Sequence, residues 1–267
     1  MIVACLKWVA HPGEPHDERF AGASPADQAA LELALQQAAA METTVTVVTA
    51  GPPAAERVLR DALATGATRA VRVDVPIDGA SDEIAGAIAA VVGAHGVPRW
   101  IWCGDYSLDR GTGSVPAYLA ARLRMRQGLG VIEVTPAGHD TLRLTRRLDG
   151  GRRELLEVSS PAVVSVEGAV AHLRRASLPA LRAATAATIE VVSPAAPVDV
   201  AEALVRPFRP RARVFAAPSG DRALDRLRVL TDASTATASR GETVQLSPAA
   251  AAQRIVDTMR QWGYLDG

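Results

Sequence analysis

From its first residue to about residue 125, the chain alternates short β-branched runs with longer stretches of helical periodicity. That alternation leaves few folds open. Parallel strands need crossover connections, and a helix of each connection must cover the sheet, so the pattern predicts an α/β domain built on an open, mostly parallel sheet. The strand candidates are residues 2–10, 44–50, 70–75 and 100–103. A helix is signalled by Ser24-Pro25-Ala26-Asp27, which combines a capping hydroxyl, a proline in the first turn and an acid near the positive end of the helix dipole. A second helix follows Gly51-Pro52-Pro53 and stops at Gly66, where glycine takes a left-handed cap. A third starts at Ser81-Asp82-Glu83 and stops near Gly96.

The pattern changes after residue 128. Leu142, Leu144 and Leu148 roughly alternate with polar residues, Asp149-Gly150-Gly151 supplies a turn, and Leu156 and Val158 follow, so a hairpin is expected before a buried strand at 162–166. From about residue 193 the chain becomes rich in proline and arginine, with two short helices expected near 221–230 and 248–262. These shifts divide the chain into an α/β nucleotide-binding domain over 1–192 and a C-terminal arm over 193–267 that docks on a partner.

With 267 residues, 48% of them apolar, a large core is within reach. Aromatic residues make up only 4%, too few for a base-stacking platform, and 29 basic side chains balance 29 acidic ones. Neither nucleic acid nor an anionic membrane is called for by that balance. Cys5 and Cys103 lie inside apolar runs without Cys-x-x-Cys spacing, as expected of reduced thiols in a cytoplasmic protein. Charged residues interrupt every apolar run before about 18 residues, so no membrane insertion is expected.

The stretch richest in candidate chemistry follows the fourth strand: Gly104, Asp105, Tyr106, Ser107, Leu108, Asp109, Arg110, Gly111, Thr112, Gly113, Ser114 and Val115. Its small residues free the amides of 111–115 to face an anion at a helix N-terminus. An ordinary βα loop explains the same residues, because neither a Walker lysine nor the spaced dinucleotide fingerprint is present. His11 and His16 flank a turn without a visible third metal ligand, and no Gly-x-Ser-x-Gly elbow marks a hydrolase. Arg143, Arg146, Arg147, Arg152 and Arg153 decorate the hairpin as a solvated face. Arg206, Arg209 and Arg211, spaced by proline and apolar residues, are candidates for docking to an acidic partner surface.

Taken in order, these blocks resemble the β subunits of electron transfer flavoproteins. The opening strand reads Cys5-Leu6-Lys7-Trp8-Val9, where that family has Cys-Val-Lys-x-Val. Ser24 to Glu32 matches the Asn-Pro-x-Asp-x-x-Ala-Leu-Glu helix start, and Gly51-Pro52 followed by Leu59 to Ala67 matches a third block. Gly104 to Val115 corresponds to the nucleotide loop, and Arg146 to Leu156 with Pro161 to Val164 to the hairpin signature. The resemblance implies a non-enzymatic half of a heterodimer. FAD is held mainly by the α subunit, AMP is a structural ligand of this chain, and electrons pass from a dehydrogenase donor to a membrane quinone reductase. It places AMP contacts at Cys5, at Ser24, Pro25, Ala26 and Asp27, at Ala50, and along residues 104–115, with dehydrogenase docking at Leu178 and Pro179. Asp105 and Tyr106 replace the family's Lys-Gln, and Ser24 replaces its Asn. Pro12 and Ala26 stand where relatives can carry an aromatic residue near the flavin. The pattern is also similar to the actinobacterial branch associated with mycofactocin. A bifurcating-type β subunit with a second FAD remains open, as does a stand-alone adenine-nucleotide sensor of the universal-stress type.

Overall fold

In the computed structural model, residues 1–10, 18–76, 79–194, 222–224, 226–227 and 244–264 are described. The chain divides into two compact units, Met1–Leu204 and Val205–Gly267. The first is built on one nine-stranded sheet. Strands β1 (Ile2–Cys5), β2 (Val45–Ala50), β3 (Arg69–Val73) and β4 (Trp100–Gly104) come from the alternating region. β5 (Arg126–Gly138), β6 (Thr141–Arg147), β7 (Arg153–Ser159), β8 (Ala162–Val166) and β9 (Glu190–Val192) follow. Their spatial order is β7-β6-β5-β8-β4-β1-β2-β3-β9. Every pairing from β5 through β9 by way of β8, β4, β1, β2 and β3 is parallel, and β5-β6 and β6-β7 are antiparallel.

Helices α1 (Pro25–Ala40) and α2 (Glu56–Thr65) cover one face, and α3 (Ser81–Gly93) and α4 (Val115–Leu123) the other. Because side chains alternate along a strand, each central strand feeds both cores. Ile2, Ala4, Trp100 and Trp102 pack with Leu31, Leu35 and Leu59. Val3, Cys5, Ile101 and Cys103 pack with Ile88, Val92 and Leu119. The near-continuous apolar runs of β1, β2 and β4 follow from this double burial. Helix α1 presents Ala26, Ala29, Ala30, Ala34 and Ala38 to the sheet, all buried, so the abundant alanine is used for close approach.

The sequence places the first strand over residues 2–10, but it ends at Cys5, opposite Val48 of β2 and Cys103 of β4; Val9 instead bridges Gly22. The helix at Ser24 starts as expected, with Ser24 Oγ accepting the Asp27 N–H at 3.1 Å. Gly66 closes α2 at a φ of 125°. The expected hairpin is β6-β7, turning through Gly150 and Gly151. Two of its five arginines are tied to the neighbouring strand: Arg143 reaches Glu157 at 2.8 Å and Arg146 pairs with Glu154.

Two strands were not anticipated. β5 carries Gly128, Gly130 and Pro136, which break its alternation, and its register shifts between Gly128 and Val131 as it leaves β8. β9 has three residues and is reached by α5 (Leu178–Ala186), which packs on α2. Arg60 of α2 holds the end of α5 by donating to the carbonyls of Ala184, Thr185 and Ala187 at 3.0, 2.9 and 3.1 Å. Earlier in the same crossing, Arg174 forks onto the carboxylate of Glu32 in α1 at 2.8 and 2.9 Å. In the second unit, α6 (Pro248–Gln261) is capped by Ser247 and leaves Ile255, Met259 and Trp262 exposed. Arg206, Arg209 and Arg211 lie outside the described residues, as do half of 221–230, His11, Pro12 and His16.

Gly104, at the end of β4, has no room for a side chain. A Cβ there would sit 2.6 Å from Asp27 Oδ1, 2.9 Å from the Asp27 nitrogen and 3.0 Å from the Ala26 carbonyl carbon. Two of those atoms are backbone, so Gly104→Ala is expected to push α1 off the sheet and cost about 2–3 kcal/mol. Gly138→Ala, which meets nothing within 4 Å, is the control and should stay within about 0.5 kcal/mol of the parent. Urea unfolding midpoints of the two variants compare them directly.

Candidate functional site: a cleft at the switch point of the sheet

The connection from β1 runs through α1 to β2 on one side, whereas β4, on the other side of β1, is reached from β3 through α3. The strand order therefore reverses between β1 and β4, and an open α/β sheet binds ligands beyond the carboxyl ends of its strands at such a point. A partly open cleft lies there, with about 850 Å³ of space between its walls when the solvent at its mouth is included. Cys5, Leu6 and Lys7 line it from the end of β1, and Cys103 and Gly104 from the end of β4. Ala50 enters from β2. Ile84, Ile88 and Val115 supply apolar surface, while Ser81, Ser107, Thr112 and Ser114 supply hydroxyls.

Residues from the starts of three helices border this region. Asp27 comes from the first turn of α1, Gly79 and Ser81 from the start of α3, and Ser114 and Val115 from the start of α4. Orphan N–H groups and the aligned helix dipoles give the cleft a positive bias toward an anion. Gly113 shapes the approach to α4: its φ is 57°, and a Cβ would lie 2.2 Å from the Asp105 carbonyl oxygen. The loop can therefore fold back on itself only with glycine at this position.

Asp27 organises the floor. Its carboxylate accepts the Lys7 N–H at 3.1 Å and the Gly104 N–H at 3.2 Å, so one side chain of α1 joins the ends of both strands that frame the switch point. Burial raises its pKa to about 6, although the two amides, the Ser24 hydrogen bond and the Lys7 charge all favour the ionised form. Lys7 Nζ meets Asp109 at 2.6 and 2.8 Å. Desolvation opposes ionisation of Asp109, but hydrogen bonds from Lys7, then Ser107 and the Arg110 amide, hold it at about 2. Arg110 donates to the Gly79 carbonyl at 2.8 Å, linking the loop to the start of α3. Desolvation, then the like charge of Glu167, raises the pKa of Asp105.

Of the residues singled out from sequence, Cys5, Asp27, Ala50, Gly104, Tyr106, Ser107, Arg110, Thr112, Gly113, Ser114 and Val115 line the cleft together. Ser24, Pro25 and Ala26 lie behind Asp27 in the start of α1, Leu108 is half exposed, Asp109 acts on Lys7, and Gly111 sits in the turn at a φ of 61°. Leu178 and Pro179 begin α5, with Ser177 as the cap, and Leu178 is 62% exposed. Reading the sequence alone missed the wall from α3, namely Ser81, Ile84 and Ile88, and the lining roles of Lys7 and Cys103. Cys103 shares the face of Cys5 through the pairing register of β1 and β4, which the sequence does not carry.

The profile of the electron transfer flavoprotein domain matches residues 17–197. The chain belongs to the electron transfer flavoprotein family. Protein FixA of Sinorhizobium fredii is 37% identical over 170 residues, covering 60% of this chain and 59% of that protein. The electron transfer flavoprotein β subunit of Methylophilus methylotrophus is 30% identical over 161 residues, or 60% of this chain and 61% of the relative. The human β subunit is 31% identical over 154 residues, covering 56% and 59% respectively. The chain thus matches about three fifths of each relative's length, and the relatives place it on the β-subunit side of the family. No helix among the described residues is long and apolar enough to cross a membrane.

The raised pKa of Asp27 has a definite sign. Between its ordinary value of 3.8 and about 6, the folded state holds a proton that the unfolded chain has released, so stability falls as pH rises through that window. The shift corresponds to about 3 kcal/mol from this group. Asp27→Asn is expected to flatten the profile by about that amount between pH 4 and 6, read as the difference between the two proteins' urea midpoints at each pH.

Proposed function

We propose that this chain is the β-type subunit of a heterodimeric electron transfer flavoprotein, with AMP held in the switch-point cleft as a structural ligand. FAD is carried mainly by an α-type partner. The observation that carries the reading is the convergence of three helix N-termini on a cleft with one apolar wall and one hydroxyl-rich side, in a chain of this family. That donor set suits a nucleotide: Ile84, Ile88 and Val115 offer surface to a base, and Ser107, Thr112, Ser114 and the loop amides offer donors to a phosphate. Cys5, Asp27 and Ala50 complete the floor, with Tyr106 and Arg110 at the mouth.

In this reading the chain binds, orients and shields, and has no catalytic residue of its own. The flavin supplies the redox chemistry when bound. Gly113 and Gly104 let the backbone close around the nucleotide, Asp27 fixes the spacing of the two strand ends, and the Lys7–Asp109 pair holds the loop at the cleft's rim. The exposed Leu178 at the start of α5, followed by Pro179, is the anchor for a dehydrogenase donor, and a membrane quinone reductase is the acceptor. The arm over 193–267, including Arg206, Arg209 and Arg211, docks on the α partner, and α6 contributes its exposed apolar residues to that contact. The complex works in the cytoplasm.

Mass spectrometry of the nucleotides released by denaturing the co-purified heterodimer tests the reading. One FAD and one AMP per heterodimer are expected. Two FAD would replace AMP by a second flavin, as in a bifurcating carrier, and neither nucleotide would overturn the assignment. Gly113→Val should lower released AMP at least tenfold while leaving FAD near one per heterodimer.

A further inference from the structure

Two cysteines in the whole chain, nearly one hundred positions apart in sequence, meet at the floor of the cleft. Cys5 and Cys103 are register partners on the adjacent parallel strands β1 and β4. Neighbouring strands are about 4.8 Å apart, and register partners point to the same face. Both thiols are free, and both belong to the core on the α3 and α4 side. Each residue is more than nine-tenths buried, yet each forms part of the cleft lining, so the cleft is the route by which a small molecule reaches them.

We propose that Cys5 and Cys103 form a dithiol site at the base of the cleft that takes trivalent arsenicals of the arsenoxide class as a two-point ligand. In the reaction R–As=O + 2 R′–SH → R–As(S–R′)₂ + H₂O, two As–S bonds form, the As=O bond is lost, and the two thiol protons leave in water. Arsenic stays trivalent, so no oxidant or reductant takes part. The product is neutral, as were the thiols and the arsenoxide, and a neutral adduct avoids the cost of placing a charge in a buried site. Three further features of the site favour this chemistry over others.

First, the hydrogen bond with Cys5, followed by burial, pushes the Cys103 thiol well above its usual range. Reagents that bond to a single thiolate, such as maleimides and peroxides, are disfavoured there, whereas an arsenoxide, which also bonds through sulfur anions, is held by two As–S bonds at once. Second, no group of three or more Cys, His, Asp or Glu side chains suited to a metal occurs among the described residues, so a four-coordinate zinc site is not built. Two sulfurs held side by side instead match the bite of one bridging atom. Third, the adduct occupies the floor on which Cys5 and Cys103 meet Asp27, whose charge acts on Cys103. A nucleotide and an arsenical therefore compete for the same space.

The dithiol assignment stands on geometry alone; only the competition rests on the proposed function. The test uses the full chain, treated with phenylarsine oxide or with N-ethylmaleimide and weighed intact. The expected result is one arsenical per chain with loss of one water, little maleimide label on the folded protein, and an adduct that resists excess 2-mercaptoethanol but is removed by 2,3-dimercaptopropanol. Cys103→Val and Cys5→Val should each lower adduct formation at least tenfold, with folding checked by urea midpoint. Should either variant fail to fold, proteolytic mapping of the native adduct to peptides containing both cysteines decides the point. No stable adduct on the native chain, or one that survives equally on a folded single variant, overturns the proposal. AMP, added first to the native protein, should slow adduct formation. Unprotected, rapid formation would overturn the nucleotide reading while leaving the dithiol site standing.

Discussion

The carboxylate of Asp27 is the joint on which the rest of the molecule depends. A helix N-terminus is usually satisfied within itself, by a capping hydroxyl and by an acid near the first turn. Here Ser24 performs the first task, but Asp27 turns outward and receives the amides of Lys7 and Gly104. Those amides lie just where β1 and β4 separate, beyond the last rung of the sheet, and would otherwise lack a backbone partner. One carboxylate thus satisfies both strand ends and sets the distance between them. The arrangement explains why residue 104 has to be glycine and why small residues fill the start of α1. It also explains why a buried acid is retained at the price of a pKa near 6.

The charges around the cleft are arranged to cancel before anything binds. Lys7, the cation on its floor, is engaged by Asp109, and Asp105 is not among the residues that line the cleft. What remains to meet an anion is mainly dipolar: the amides of the 111–115 loop and the starts of three helices. Dipoles fixed by the backbone require no reorganisation on binding and carry no desolvation cost comparable to that of a free lysine. In the proposed reading, a phosphate meets the loop backbone rather than a lysine at position 105, where this chain has Asp105.

How much of this was legible follows from which signals are local. The start of α1 could be read from Ser24-Pro25-Ala26-Asp27, the end of α2 from Gly66 and the β6-β7 turn from Asp149-Gly150-Gly151, because each depends on backbone chemistry within a few residues. The sheet's reversal between β1 and β4 is not local. Without it, Ser81 is simply a helix start and Ile84 and Ile88 are simply core residues, so the α3 wall of the cleft was invisible. β5 was missed because its glycines and Pro136 serve a strand that changes partners midway, from parallel β8 to antiparallel β6. β9 was missed because three half-exposed residues carry no periodicity; only the partner strand β3 makes them a strand.

That short strand solves a problem created by the topology. Placing β1 and β4 at the centre leaves β3 as an outer parallel strand with buried apolar residues, and an uncovered edge of that kind invites pairing with another chain. The segment after β8 returns across α1 and α2 to supply β9, and it is fastened twice on the way, by Arg174 to Glu32 and by Arg60 to the carbonyl end of α5. The opposite edge, β7, is managed differently. It is defended by alternating charge, with Glu154 and Glu157 satisfied by arginines of β6 and Arg153 opposite Arg147, so that a foreign strand would have to break ion pairs to join it. The parallel half of the sheet, which frames the cleft, is thereby closed by chain, and the antiparallel half by charge. Leu155, 71% exposed on β7, is the exception on that charged edge. A single apolar side chain between charged neighbours gives a foreign strand too little apolar area to offset the broken pairs, so the charge defence holds without a covering segment.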